Sequence, residues 1–202
     1  MLRSAQRQGD KQGEVMRYSA SHKQETREKL LHSSAALAKK EGFASVGVDG
    51  LMKAIGLSGG AFYSHFSSKD ELFSSIVERE LSHSLERLNG SGGAQSRERL
   101  DRCLKLYLSM AHVEQVDAGC ALPSLGAEIA RSDVVVRQHA QDWICRLQAG
   151  WAVTLGSDSL AWAILSQCVG ALVVARMMVD PQVQAQVLSS NQEVLARQMA
   201  NL

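Results

Sequence analysis

The segment from residue 48 to residue 66 constrains the fold more than any other part of the sequence. It holds two short helical stretches, Val48–Ile55 and Ser58–Ser64, and Gly56 lies between them, where a tight turn needs a positive φ. Its apolar residues have the spacing to face a preceding helix; they are Leu51, Ile55, Leu57, Phe62 and Phe66. Two short helices locked together in this way predict a helix-turn-helix.

Helical periodicity continues on both sides of this motif, and no stretch alternates as a strand would. Ser21 with Gln24 and Ser68 with Glu71 have the spacing of capping boxes, which predicts that helices start there. The sequence predicts an all-α fold in which residues 21–68 form a three-helix domain, and residues 69–202 form a second helical domain. Residues 69–88 would be a long helix that connects the two.

The first 20 residues are polar and basic, and we expect them to form a disordered arm. Residues 1–40 carry nine Lys and Arg against four Asp and Glu. Such a segment suits an arm that meets phosphate groups, and it equally suits a solvated tail. The arm lacks the apolar core of a secretory signal peptide, so a cytoplasmic location is predicted.

The remaining composition argues against several kinds of protein. The four cysteines are far apart and form no CxxC pair, which favours a reduced protein without a disulfide framework or a metal site. No nucleophile–base set, phosphate-binding glycine loop or carboxylate pair is visible, so we predict neither an enzyme nor a cofactor. The apolar stretch 160–179 is interrupted by Ser166, Gln167 and Arg176, and this favours a buried helix over a membrane span.

Residues Gly42 to Phe73 resemble the signature of the TetR-type (TetR/AcrR) transcriptional regulators. The resemblance is strongest from Leu57 to Phe66 and from Lys69 to Leu72, and it covers roughly Lys23–Ser84. It implies a homodimeric regulator that binds double-stranded operator DNA, most simply a repressor. A small molecule bound in the C-terminal ligand-binding and dimerisation domain would release it.

The resemblance also implies roles for single residues. Tyr63, His65 and Lys69 would hold phosphates, and the second helix of the motif would approach base edges through Gly59, Gly60, Ala61 and Ser64. The flanking backbone would be contacted by Gly47, Val48 and Lys53, and Ser58 would cap the second helix. The glycine pair departs from the family pattern, and we interpret it as allowing the helix backbone to lie close to DNA.

The C-terminal half offers candidates for a ligand pocket and for a dimer interface. Large or reactive side chains could line the pocket or belong to the core; they are Cys103, Tyr107, Met110, Cys120, Trp143, Leu147 and Trp151. The apolar helix near 160–179 and the one at 133–155 are predicted to form the interface, with contacts from Leu160, Ile164, Cys168, Ala171, Leu172 and Ala175. Cys120, near a predicted helix start, supports an alternative in which the regulator senses oxidants or electrophiles.

Overall fold

The computed structural model describes the backbone of residues 4–89 and 96–200 and the side chains of residues 22–88 and 96–200. Within these residues every regular element is helical, which confirms the predicted all-α fold. One element is a 3-10 helix, Gly59–Ser64, which we call the reader helix. The α-helices are α1 (Ser4–Glu41), α2 (Val48–Lys53), α3 (Lys69–Asn89), α4 (Arg97–Tyr107), α5 (Met110–Glu114), α6 (Leu122–Arg131), α7 (Val134–Leu155), α8 (Asp158–Met177) and α9 (Pro181–Ala200).

The first helix begins earlier than the sequence analysis expects. The structure has residues 4–20 in α1, where a disordered arm was predicted, and Ser21 lies inside the helix and not at its start. Between Glu14 and Glu41 the sequence contains neither glycine nor proline, so nothing in that stretch interrupts the helical hydrogen bonds. Residues 1–3 of the predicted arm lie outside the described residues.

Several helix ends carry local signals in the sequence. Gly42 and Gly156 follow α1 and α7 in the left-handed conformation, with φ of +84° and +67°. The Asp133 carboxylate accepts the Val136 amide at 2.9 Å at the start of α7, and Ser157 caps α8 in the same way. The predicted capping box at Ser68 is only half formed, because the Glu71 carboxylate accepts from Ser67.

The buried side chains form two cores that share α7. The first core joins α1, α2, the reader helix and the N-terminal half of α3, and it extends to Leu125 of α6 and Ala140 of α7. The second core joins α4, α5, α8 and α9 to the C-terminal half of α7. The predicted boundary at residues 68 and 69 therefore marks the start of α3, whereas the first core continues through α3 to Leu81.

The apolar helix predicted near residues 160–179 is α8. By length and composition alone it could cross a membrane, a property that core helices of soluble proteins share. In the structure one face of α8 packs into the second core, where Ile164 and Leu172 are fully buried.

Candidate nucleic-acid interface

A tight turn holds α2 against the reader helix. The Leu57 amide donates to the Met52 carbonyl at 3.0 Å, and Gly56 between them has a φ of +75°. That conformation favours glycine, as predicted. Leu51, Met52 and Phe62 are fully buried at the contact of the two helices. The reader helix is therefore fixed relative to α2 by both backbone bonds and packing.

The reader helix differs from the prediction in two details. Leu57, predicted to face the first helix, is 38% exposed, because the turn places it at the surface between the two short helices. The reader helix is a 3-10 helix that starts at Gly59, and the extended Ser58 before it makes no side-chain cap. Two adjacent glycines weaken an α-helix, and a short 3-10 turn tolerates them with few hydrogen bonds.

The outer face of the reader helix presents small and polar groups to solvent. Tyr63 is 69% exposed, and Ser64 is exposed while its hydroxyl donates to the Ala61 carbonyl at 2.7 Å. Gly60 is exposed, and Ala61 packs partly on the first core. Gly60, Tyr63 and Ser64 are thus exposed, whereas Ala61 also contacts the first core.

The predicted flanking residues lie on both sides of the reader helix. Gly47 is the extended N-cap of α2, Val48 begins that helix half-buried, and Lys53 ends it exposed. At the start of α3, the Lys69 ammonium donates to the Ala44 carbonyl at 3.3 Å. It also lies 4.7 Å from the centroid of the Phe43 ring, a cation–π contact that fixes the charge beside the motif.

Two cations of α1 also lie beside the reader helix, and the sequence analysis did not single them out. The Arg27 guanidinium is 4.4 Å from the centroid of the Phe66 ring. Burial, followed by the charges of Lys23 and Arg27, lowers the pKa of His65 below its ordinary value. Lys23 and Arg27 are four residues apart, so both lie on one face of α1. The nearby cations extend the surface on which a phosphate backbone could lie.

The two glycines of the reader helix have different surroundings. A Cβ on Gly59 would collide with the Asp49 carboxylate of α2, whereas a Cβ on Gly60 would meet nothing within 4 Å. Gly59 therefore permits a close approach within the protein itself. Gly60 has open space where a side chain would be, and the role of the pair in approaching DNA stays a prediction.

A cavity of about 370 Å³ lies between the C-terminal part of α3, α4, α5 and the loop before α6. Three predicted pocket residues, Cys103, Tyr107 and Cys120, line it. The other lining residues are Ser84, Arg87, Leu88, Leu106, Ser109, Ala111, His112, Gln115, Ala118 and Gly119. Burial and the nearby Cys120 and Cys168 thiols raise the pKa of Tyr107 well above its usual range.

The other four predicted pocket residues do not line this cavity. Leu147 and Trp151 are buried in the second core, and half-buried Met110 packs against it. Trp143 packs against the first core, and the Arg146 guanidinium lies 4.7 Å from its ring centroid. These four side chains were predicted to line a pocket, and in the structure they pack in or against the two cores.

The predicted dimer residues face the wrong way for an interface. Ile164, Cys168, Ala171, Leu172 and Ala175 are buried inside the protomer, and only Leu160 of the predicted set is half-buried. The opposite face of α8 is exposed and, apart from Ser166, apolar; it carries Trp162, Ala163, Gly170, Val173, Val174 and Met177. We call these residues the α8 stripe.

Known proteins resemble this chain both in the sequence of the motif and in the fold. Residues 30–76 match the bacterial regulatory proteins of the tetR family. The HTH-type transcriptional regulator YvdT of Bacillus subtilis (strain 168) is 32% identical over 63 residues, and this alignment spans 31% of the chain and 32% of YvdT. The residues matched by the family, 30–76, contain α2 and the reader helix. The helix-turn-helix region of this chain is therefore similar to that of the tetR family.

Solved structures of TetR regulators share the fold over most of this chain. A TetR transcriptional regulator from Chloroflexus aurantiacus superposes with a TM-score of 0.75 at 22% identity, covering 89% of this chain and 96% of the other. The reduced form of Escherichia coli NemR gives 0.73 at 20% identity, covering 86% and 97%. A regulator from Saccharomonospora viridis in complex with choline gives 0.69 at 18% identity, covering 86% and 96%.

The glycine pair of the reader helix supplies a first prediction. Gly59→Ala should be less stable than Gly60→Ala, because its methyl group must push the exposed Asp49 carboxylate aside; a side chain forced off its preferred rotamer costs about 0.5–1.5 kcal/mol. Gly60→Ala is the matched control and should leave stability unchanged or raise it by up to about 1 kcal/mol. Urea unfolding of both variants measures the difference. Equal stability of the two variants would contradict the assignment.

His65 supplies a second prediction, on pH. Because burial and the charges of Lys23 and Arg27 lower the pKa of His65, its neutral form is favoured in the free protein. A neighbouring DNA phosphate would raise that pKa, so DNA binding should take up a proton. DNA affinity should therefore rise as the pH falls through the range of about 5–8 where histidine titrates, by up to about tenfold for each unit of pKa change. His65→Gln should bind with a weaker pH dependence in fluorescence anisotropy; an unchanged pH profile would argue against a phosphate contact.

Proposed function

We propose that this chain is a sequence-specific, DNA-binding transcriptional repressor that acts as a cytoplasmic homodimer. The observation that carries the proposal is the fixed reader helix, with an exposed polar face between cations of α1, α2 and α3. Lys53, Lys69 and Arg27 would hold phosphates on either side of the groove, while Tyr63 and Ser64 face it. Phosphate contacts position a protein on DNA, and groups within the groove give specificity.

The experiment is selection of binding sites from a pool of random DNA duplexes, followed by anisotropy with the enriched sequence. We expect a near-palindrome whose half-sites lie about 34–36 Å apart, the spacing of successive major grooves. Affinity should fall steeply as salt is raised, because phosphate contacts release counterions. A pool without enrichment, or an affinity that does not respond to salt, would favour a helical binding module without DNA-binding activity.

The proposed release mechanism uses the contacts between the cavity wall and α1. The Lys39 ammonium of α1 donates to the Glu80 carboxylate of α3 at 2.7 Å and to the Gly119 carbonyl in the cavity wall at 3.1 Å. The Ser84 hydroxyl, one turn further along α3, donates to the Glu80 carbonyl and lies 3.8 Å from the Cys120 thiol. A ligand that moves the 119–120 wall would shift α1 and α3, and thereby the separation of two reader helices.

A second link runs through α6. The Glu128 carboxylate accepts the Phe43 amide at 3.0 Å, where the chain leaves α1. Cys120 and Ala121 directly precede α6, so one short helix spans from the cavity wall to the helix-turn-helix. In this proposal a movement of the 119–120 wall shifts α3, and α6 transmits the same movement to the C-terminal end of α1.

The α8 stripe is the proposed two-fold contact. Monomeric proteins seldom expose apolar residues in one continuous stripe, and a second copy of α8 would cover it in a helical bundle. Val173→Glu with Val174→Glu should convert a dimer into a monomer in light scattering, because both side chains point away from the second core. A dimer that persists in the double variant would place the interface elsewhere.

The alternative is a repressor that senses oxidants or electrophiles through Cys120. Cys120 lines the cavity and carries its thiol beside the Ser84 hydroxyl, whereas burial raises the pKa of Cys168 to about 12 and leaves that thiol unreactive. Cys120→Ser distinguishes the two mechanisms. It should abolish release of DNA by peroxide or N-ethylmaleimide if Cys120 is the sensor, with DNA binding intact.

A further inference from the structure

The residues that line the cavity carry one formal charge, and it is positive. Arg87 is the single charged residue among those that line it, apart from the titratable His112. The Arg87 guanidinium donates to the Ala118 carbonyl at 3.2 Å and has no carboxylate within 4 Å among the described side chains. The neighbouring residues 90–95 contain no Asp or Glu. Among the described side chains, the Arg87 guanidinium at the cavity therefore has no ion-pair partner.

His112 contributes neither charge nor a free donor to the cavity. Its Nδ1 lies 2.8 Å from the Tyr107 carbonyl, which can only accept, so Nδ1 carries the proton. Its Nε2 accepts the Cys120 amide at 3.0 Å, which requires an unprotonated nitrogen. Burial also lowers the pKa of His112, in agreement with a neutral ring. Both nitrogens are thus used within the protein, and Arg87 is left as the ionic anchor.

The rest of the cavity wall is mainly apolar, and its volume limits the size of a ligand. Leu88, Leu106 and Ala111 lie beside the aromatic ring of Tyr107 and the thiol of Cys103. Liquid water takes about 30 Å³ per molecule, so about 370 Å³ accommodates on the order of a dozen non-hydrogen atoms. A guanidinium matches a carboxylate through two parallel hydrogen bonds.

We propose that this cavity binds a monocarboxylate with an apolar body of on the order of ten carbon atoms, its carboxylate on Arg87 and its body against the apolar wall. That this molecule is also the effector that releases DNA rests on the proposed function. Binding itself is a property of the protein alone. A quaternary ammonium ligand, such as the choline held by the Saccharomonospora viridis regulator, would meet a cation here.

Three probes with one apolar body and different head groups test the proposal: decanoate, decan-1-ol and decylamine. Isothermal titration of the full chain should give a Kd for decanoate at least about tenfold lower than for decan-1-ol, since bonds to charged groups exceed neutral ones by that factor. Decylamine should bind more weakly than either. Arg87→Gln should remove the preference for the acid, whereas the control Arg137→Gln, on the exposed surface of α7, should keep it.

Ala111→Phe locates the binding, because Ala111 lines the cavity yet is exposed, and the added ring fills the space at little cost to the core. It should abolish binding of all three probes. Equal affinity for acid and alcohol, a preference that survives Arg87→Gln, or binding that survives Ala111→Phe would each overturn the proposal. If decanoate binds as described but leaves the selected DNA bound, the carboxylate site stands and the proposed release mechanism fails.

Discussion

Lys39→Met is expected to lower the free energy of unfolding by about 3–5 kcal/mol, because it leaves the Glu80 carboxylate buried without a partner. The side chains of Lys39 and Glu80 are 4% and 10% exposed, and their charged atoms are 2.7 Å apart. Removal of Lys39 also deprives the Gly119 carbonyl of its donor. Urea unfolding at one fixed protein concentration measures the loss, since stability of a dimer depends on concentration.

The matched control is the double variant Lys39→Met with Glu80→Met. An apolar pair of similar size often replaces a buried ion pair at little cost, so the double variant should be more stable than either single variant. It should also keep the reader surface unchanged and bind DNA. If the three variants lose stability additively, the two side chains are not coupled, and the proposed link from the cavity wall to α1 loses its main support.

The double variant also tests the release mechanism separately from stability. With the ion pair gone, the 119–120 wall no longer holds α1 through Lys39, while the contact of Ser84 with Cys120 and the link from Glu128 to Phe43 remain. We expect a ligand in the cavity to bind as before and to release DNA less effectively. A thermodynamic coupling that is unchanged in this variant would mean that the displacement does not travel through Lys39.

The parts of the fold that could be predicted depend on neighbouring residues in the chain. Gly42, Gly56 and Gly156 each have the positive φ that ends a helix or closes a turn, and Asp133 and Ser157 cap the helices that follow them. Each of these signals needs only a few adjacent residues. The start of α1 was missed for the same reason, since a capping box has an effect only where the helix does not already continue past it.

The features that could not be predicted depend on tertiary packing, that is, on which face of each helix packs against another helix. α8 is apolar nearly all round, so its periodicity does not tell a face buried in the protomer, such as Ile164, from an exposed one, such as Val174. Trp151 is large enough to wall a pocket but fills the second core. Arg27 and Arg87 are ordinary charged residues of helix surfaces in the sequence, and only the tertiary contacts single them out.

Phe62→Ala is expected to remove most of the affinity for operator DNA. The Phe62 ring is fully buried and lies against Phe66, with ring centroids 5.9 Å apart. The reader helix has few hydrogen bonds of its own, so this ring is its principal attachment to the first core. A Phe→Ala change in a core costs about 3–5 kcal/mol, which corresponds to an affinity loss on the order of a hundredfold or more if the reader helix must refold to bind.

Two neighbouring variants separate positioning by Phe62 from direct contact with DNA. Tyr63→Ala, at the exposed adjacent position, should weaken DNA binding without lowering the free energy of unfolding, because its ring is 69% exposed. Phe62→Leu should retain most of both properties, since it keeps much of the buried volume. Anisotropy and urea unfolding distinguish the three variants. If Phe62→Ala bound the selected DNA with native affinity, the reader helix would not be the element that enters the groove.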